Sequence, residues 1–195
     1  MLKLGITGGI GSGKTTVCKI FEHLNVPIYY ADERAKWLVN NHQNLKKDII
    51  HHFGETSFID GKYNRAYIAD IVFKDKEKLN LLNQAIHPYV FEDWNKFCFL
   101  NSEKPLIIKE AAIMLETESK NTVDKIALVY SPIELRIERI KKRDRLDENQ
   151  ILKRMDMQMS DEEKMQLADY IIYNDLQHSL IDQVNDLYHK LIAIS

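Results

Sequence analysis

Gly8-Gly9-Ile10-Gly11-Ser12-Gly13-Lys14-Thr15 is the stretch whose reading decides the fold. It matches the phosphate-loop pattern G-x-x-x-x-G-K-[ST] at every fixed position. Ahead of it, Leu2-Lys3-Leu4-Gly5-Ile6-Thr7 reads as a short buried strand. Behind it, Thr16 to Leu24 carries apolar residues at helical spacing. Strand, glycine loop and helix is the context the motif requires.

The spacing answers a chemical need. Triphosphate oxygens demand several donors converging on a small volume. Glycines let successive N–H groups turn inward as an anion nest. A helix beginning near Gly13 adds its positive N-terminal end. Lys14 can reach the β- and γ-phosphates, and the Thr15 hydroxyl can meet Mg²⁺. The pattern predicts a nucleoside triphosphate site.

The rest of the composition is that of an ordinary soluble globular chain. Its 195 residues suffice for one substantial core with appended pieces. The formal net charge of -2 argues against a nucleic-acid partner. No apolar run is long enough to cross a bilayer, and the N-terminus enters a strand directly, unlike a signal peptide. Two cysteines, Cys18 and Cys98, make no disulfide framework. A cytoplasmic monomer without a membrane partner is expected.

Val26 to Tyr30 is a second strand, ending at Ala31-Asp32. An acid at the carboxyl end of a parallel strand faces the ligand crevice of open α/β sheets. Asp32 is a candidate base or metal-associated acid, or else the N-cap of the helix that follows. Residues 33 to about 100 then read as helical, too long for a plain crossover. They are predicted to form a second-substrate insertion. Within it, Phe58 to Lys62 reads as a turn, and His87-Pro88 as an interruption of a helix. Arg65 and His87 are either acceptor-side groups or a solvated charge and a helix-start residue.

Pro105 to Ile108 and Lys125 to Tyr130 are the third and fourth strands, and Ala168 to Asn174 the last. Glu110 ends the third, placed near a metal or on the strand's solvent end. After Ser131-Pro132, a helix sets Ile133, Ile137 and Ile140 on one side and Arg136, Arg139 and Arg143 on another. Those arginines suit a triphosphate, or form a solvated basic face with Lys141, Lys142 and Arg145. Met155 and Met159 are packing residues. Residues 139–165 read as a helical lid.

These pieces resemble the dephospho-coenzyme A kinase family from end to end. The opening Leu4 to Thr15 looks like that family's signature. Ala31-Asp32, Arg65, Leu82 through His87-Pro88, Arg139, Arg143-Asp144, Gln158 and Ala168-Asp169 through Asn174 match its landmarks. One stretch departs. Glu110-Ala111-Ala112-Ile113-Met114-Leu115-Glu116 stands where the family commonly reads Asp-x-Pro-Leu-Leu-Phe-Glu.

The resemblance implies an α/β fold of the P-loop NTPase type. A parallel sheet of about five strands would be flanked by helices, with a helical substrate insertion and a helical lid. The core would comprise residues 1–32, 101–138 and 166–195, the acceptor domain 33–100, and the lid 139–165. The implied reaction phosphorylates the ribose 3′-hydroxyl of dephospho-coenzyme A with ATP and Mg²⁺. Asp32, Lys14, Arg139 and Arg143 would be catalytic. Gly9, Gly11, Ser12, Gly13, Lys14, Thr15, Thr16, Arg139, Arg143 and Asn174 would bind ATP, with Thr15 on the metal. Thr7, Asp32, Arg65, His87 and Pro88 would bind the acceptor. The rival reading within this class is a nucleoside monophosphate kinase or another small-molecule kinase. A guanine-nucleotide switch is disfavoured, because Asn95-Lys96-Phe97-Cys98 lacks the aspartate of the base-reading motif.

Overall fold

A computed structural model describes residues 1–144 and 146–195; Arg145, one of the basic residues named above, lies outside them. In chain order the elements are β1 (Leu2–Thr7), α1 (Lys14–His23), β2 (Ile28–Tyr30), α2 (Ala31–Asn41), α3 (Gln43–Phe53), β3 (Phe58–Ile59), β4 (Lys62–Tyr63), α4 (Arg65–Val72) and α5 (Lys76–Leu100). There follow β5 (Leu106–Glu110), β6 (Lys125–Tyr130), α6 (Ile133–Asp144), α7 (Glu148–Met155), α8 (Asp161–Leu167), β7 (Tyr170–Tyr173) and α9 (Leu180–Ile192). The chain divides into two compact units, one of residues 1–30 and 101–195, the other of 31–100.

The first unit is built on a five-stranded parallel sheet in the order β2-β5-β1-β6-β7. Strands buried on both faces read as continuous apolar runs, as Leu106 to Ile108 and Ile126 to Val129 do. One face packs on α1 and α9 through Val17, Cys18, Phe21, Val184, Leu187 and Leu191. The chain leaves β1 to build first on one side and then on the other. The strand order therefore reverses at β1, and ligands of such sheets bind beyond the carboxyl ends at that point. The phosphate loop follows β1 directly. A smaller apolar cluster of Ile140, Ile151 and Met155, with Ile10 and Ile137 against it, joins α6 and α7 to the loop. Met155 packs as its sequence position suggests, whereas Ile133 is exposed.

The second unit packs its helices around Leu38, Val39, Leu45, Ile49, Phe53, Ile68 and Leu82. Two sequence expectations need correction here. The turn at 58–62 is a two-stranded hairpin, with Phe58 opposite Tyr63 and Ile59 opposite Lys62. Asp60 and Gly61 both take positive φ, 49° and 76°, the backbone of a tight primed turn. And α5 runs unbroken through Pro88. Proline removes one backbone donor and strains one turn. Burial of Leu82 before it and of Trp94 and Cys98 after it holds the helix on both sides.

Candidate active site

The loop's geometry starts at Gly13, which caps α1 with φ 96°. That left-handed backbone is strained for any side chain. A Cβ here would also overlap the amide nitrogen of Asn174. Thr16 N–H and Val17 N–H donate to the Gly13 carbonyl at 2.9 and 3.2 Å, starting the helix. Ser12 N–H donates to Gly9 at 3.1 Å and closes the turn. The helix thus begins inside the glycine loop, with its positive end at the bend.

Lys14 donates from Nζ to the Gly8 carbonyl at 2.9 Å and lies 3.9 Å from Glu110 Oε1. Glu110 is buried at the end of β5, so the solvent-end reading of that residue falls. Thr15 and Thr16 are exposed in the first turn of α1. Cys18 is fully buried one turn on. Burial pushes its thiol well up, Glu110 and Glu22 add to the rise, and Lys14 opposes it. It is an inert packing residue. Thr7 is also fully buried, its hydroxyl donating to the Ala112 carbonyl at 3.4 Å.

The three arginines of α6 part ways. Arg139 donates from Nη1 to Ser131 Oγ at 2.9 Å, with longer contacts of 3.4 and 3.5 Å to the carbonyls of Gly11 and Ser12. Its Nη2 donates to both the backbone and side-chain oxygens of Asn174 at 3.2 Å. Asn174 in turn donates from Nδ2 to Ser12 O at 2.7 Å, so β7, α6 and the loop meet at one point. Arg143 is exposed and grips Asp144 with a two-pronged contact at 2.7 and 2.8 Å. Arg136 is buried, its guanidinium on Ile10 O and Asp161. The alternative of a solvated basic face does not hold for Arg136, drawn in by Ile10 O and Asp161, or for Arg139, drawn in by Ser131 and Asn174.

In the second unit, α2 begins at Ala31, so Asp32 is exposed within the first helical turn and does not stand before it as an N-cap. Two residues on, Arg34 grips Asp93 of α5 at 2.8 and 2.7 Å and lies over the Trp37 ring at 4.5 Å. Arg65 is the exposed first residue of α4, whose cap is Asn64, accepting from Tyr67 N–H at 3.2 Å. Burial pushes neighbouring Tyr63 up to about 12, with Arg65 acting against it. His87 and Pro88 are exposed in the middle of α5. Nearby, Tyr89 Oη donates to Asp48 at 2.6 Å, which fixes α5 against α3.

A glycine loop of this form serves many kinases, and only the whole chain can narrow the choice. The dephospho-CoA kinase family model matches residues 2–179. A dephospho-CoA kinase of Bacteroides fragilis is 38% identical over 186 residues, covering 95% of this chain and 91% of that one.

The chain belongs to the dephospho-CoA kinase family.

Solved structures agree. A dephospho-CoA kinase from Campylobacter jejuni superposes with a TM-score of 0.69 at 26% identity, covering 98% of this chain and 97% of that one. A Thermus thermophilus crystal structure reaches 0.85 at 29% identity, covering 100% and 98%. Membership makes the chain a kinase that phosphorylates dephospho-CoA with ATP, in the biosynthesis of coenzyme A. No helix among the described residues is long and apolar enough to cross a membrane. Dephospho-CoA kinase membership also covers the second unit, since residues 31–100 fall wholly inside the match.

Sequence reasoning missed Ser131 as the anchor of Arg139 and Ile10 as the contact of Arg136. The Ser-Pro pair at the end of β6 was visible only as a strand stop. The partners of Ile10 lie more than a hundred residues away, so no local pattern could reveal them.

Proposed function

We propose that the chain transfers the γ-phosphoryl group of ATP to the ribose 3′-hydroxyl of dephospho-coenzyme A. The reading rests above all on the family match over residues 2–179. It takes in the acceptor-side unit as well as the loop, and the acceptor pocket is what separates small-molecule kinases from one another.

The loop amides of Gly9, Gly11, Ser12 and Gly13 would cradle the phosphates, with Thr16 closing the first turn of α1. Lys14 would exchange its bond to Gly8 O for phosphate oxygens, which are stronger, charged acceptors. Asp32, exposed at the start of α2, would orient or deprotonate the acceptor hydroxyl. Arg139 and Arg143 would close on the triphosphate and stabilise the transferring group, the 139–165 segment acting as a lid. Asn174 would hold the nucleotide side by fixing Ser12 and Arg139. Arg65, His87 and Pro88 would line the acceptor side, with Thr7 setting the position of Ala112.

Mg²⁺ fits the donors present. Thr15 offers an exposed hydroxyl and Glu110 a carboxylate close to Lys14. Among the described residues no cluster of three or more His, Cys, Asp or Glu could hold an ion alone. Magnesium needs only one or two protein ligands beside phosphate oxygens and water. When bound, it would neutralise charge on the β- and γ-phosphates. We place the enzyme in the cytoplasm as a monomer, a setting that suits two buried, unbridged cysteines.

An acceptor panel tests the reading. Purified protein would be given ATP with dephospho-coenzyme A, AMP or other mononucleotides, and the products identified by mass. Phosphorylation of dephospho-coenzyme A alone is expected. Phosphorylation of a mononucleotide in its place would overturn the assignment.

A further inference from the structure

Ile10, at the crown of the phosphate loop, is held from both sides. Its N–H donates to Gln158 Oε1 at 2.9 Å, and its carbonyl accepts from Arg136 Nε at 2.9 Å. Arg136 Nη1 donates to Asp161 Oδ2 at 2.7 Å. The Arg136 side chain is 6% exposed. Its guanidinium lies against Gly9 so closely that a Cβ there would stand 2.5 Å from Cζ. The segment from Gln158 to Asp161 is itself tied down, because Met159 N–H donates to Glu116 at 3.2 Å and Lys164 lies 3.3 Å from the same oxygen.

A buried ion pair is a weak source of stability, and apolar residues of similar volume often do as well or better. The Arg136–Asp161 pair therefore calls for a job that packing alone would not do. The planar fork of arginine can serve a carbonyl and a carboxylate at once. Here it draws the Ile10 carbonyl outward while Gln158 draws the N–H to its own side. The Ile10 peptides cannot turn over. Gly9 and Gly11, which lack a Cβ to restrict them, would then be held with their amides set for an anion.

We propose that Arg136, acting through Ile10 and Asp161, is a positioning residue that keeps the phosphate loop in its anion-binding form before the nucleotide arrives. The proposal rests on the nucleotide-binding half of the reading above and is independent of which acceptor is used. A preset nest raises affinity by removing the cost of ordering it. That gain applies to every nucleotide whose β-phosphate sits in the nest, so ADP and ATP share it equally.

The test measures ADP and ATP affinity by calorimetry for wild type, Arg136→Ala, Arg136→Lys and Asp161→Asn. It is run at a temperature where circular dichroism finds each variant folded, and the KM values for ATP and acceptor are measured alongside. Arg136→Ala is expected to weaken ADP and ATP by the same factor, roughly tenfold or more, the worth of a charge-assisted bond. The acceptor KM should stay within about twofold. Arg136→Lys, which can satisfy one acceptor but not both, should recover part of the loss. If Arg136→Ala does not fold, Arg136→Lys and Asp161→Asn carry the test, with smaller but equal losses for ADP and ATP. A loss confined to ATP would make Arg136 a direct γ-phosphate contact and overturn the proposal. Unchanged affinities in folded variants with lowered melting temperature would reduce it to a structural residue and equally overturn it. Binding is measured without acceptor, so a failed acceptor assignment leaves this result intact.

Discussion

Lys14 Nζ stands 3.9 Å from Glu110 Oε1 while it donates to the Gly8 carbonyl at 2.9 Å. Both side chains are about nine-tenths buried. A carboxylate in that position balances the ammonium, and on the function proposed above it would face the metal when Lys14 binds the phosphates. Glu110→Gln is expected to raise the Mg²⁺ concentration for half-maximal activity by roughly tenfold, in the range for an altered metal environment. The check is a Mg²⁺ titration at saturating ATP. An unchanged midpoint with a lower kcat would assign Glu110 to placing Lys14 alone.

Asp32→Asn keeps the shape of the side chain and removes its basicity. Turnover should fall by about 10²–10⁴, the usual range for a general base. ATP affinity should stay near the wild-type value, because the phosphate loop is untouched. Single-turnover kinetics and nucleotide calorimetry together check this. Near-normal turnover would remove Asp32 from the catalytic set.

Arg139 meets Ser131, Asn174 and the loop carbonyls with a planar fork. Arg139→Lys is therefore expected to behave almost like Arg139→Ala, since a point charge cannot satisfy that arrangement. Both should lower kcat more than they raise the acceptor KM. Arg143→Ala should leave the melting temperature unchanged, because Arg143 is exposed and pairs only with Asp144 among the contacts described above. Its effect should appear in kcat. A rise in acceptor KM alone, for either residue, would move that arginine to the acceptor site.

Asp169 accepts from Ile126 N–H at 2.8 Å and pairs with Lys125 at 2.8 Å, which fastens β6 just before β7 begins. Burial would raise its pKa, but the bonds from Lys125 and Ile126 together outweigh it and hold the carboxyl below its ordinary 3.8. A depressed carboxylate stabilises the fold above its ordinary pKa, and that contribution fades as pH falls through the lowered value. Asp169→Asn should thus lower the melting temperature at neutral pH. The gap to wild type should narrow as the pH drops below about 4. A gap independent of pH would show that the charge contributes nothing.

Much of the fold could be read without coordinates. Alternation of short apolar runs with helical spacing marks the five strands, and the glycine loop between Thr7 and Lys14 orients the first of them. The hairpin at Phe58–Tyr63 escaped notice because two-residue strands carry no periodicity. The antiparallel pairing of Phe58 with Tyr63 and Ile59 with Lys62 establishes it, and the Asp60-Gly61 dipeptide, which favours a primed turn, was its local signal. The break expected at Pro88 did not occur, since a single lost donor weighs less than the packing of Trp94 and Leu82 on either side.

What the sequence by itself determined is the conformation of the loop: Gly13, Lys14 and Thr15 are contiguous, with Gly13 capping α1, so their arrangement is encoded locally. Tertiary structure alone decided that Arg136 turns inward to Ile10, that Arg139 rests on Ser131 and Asn174, and that Glu110 faces Lys14. On paper the arginines of α6 are one basic stripe. Which of them is buried depends on where distant carbonyls and carboxylates come to lie, because a guanidinium leaves water only when such acceptors replace it.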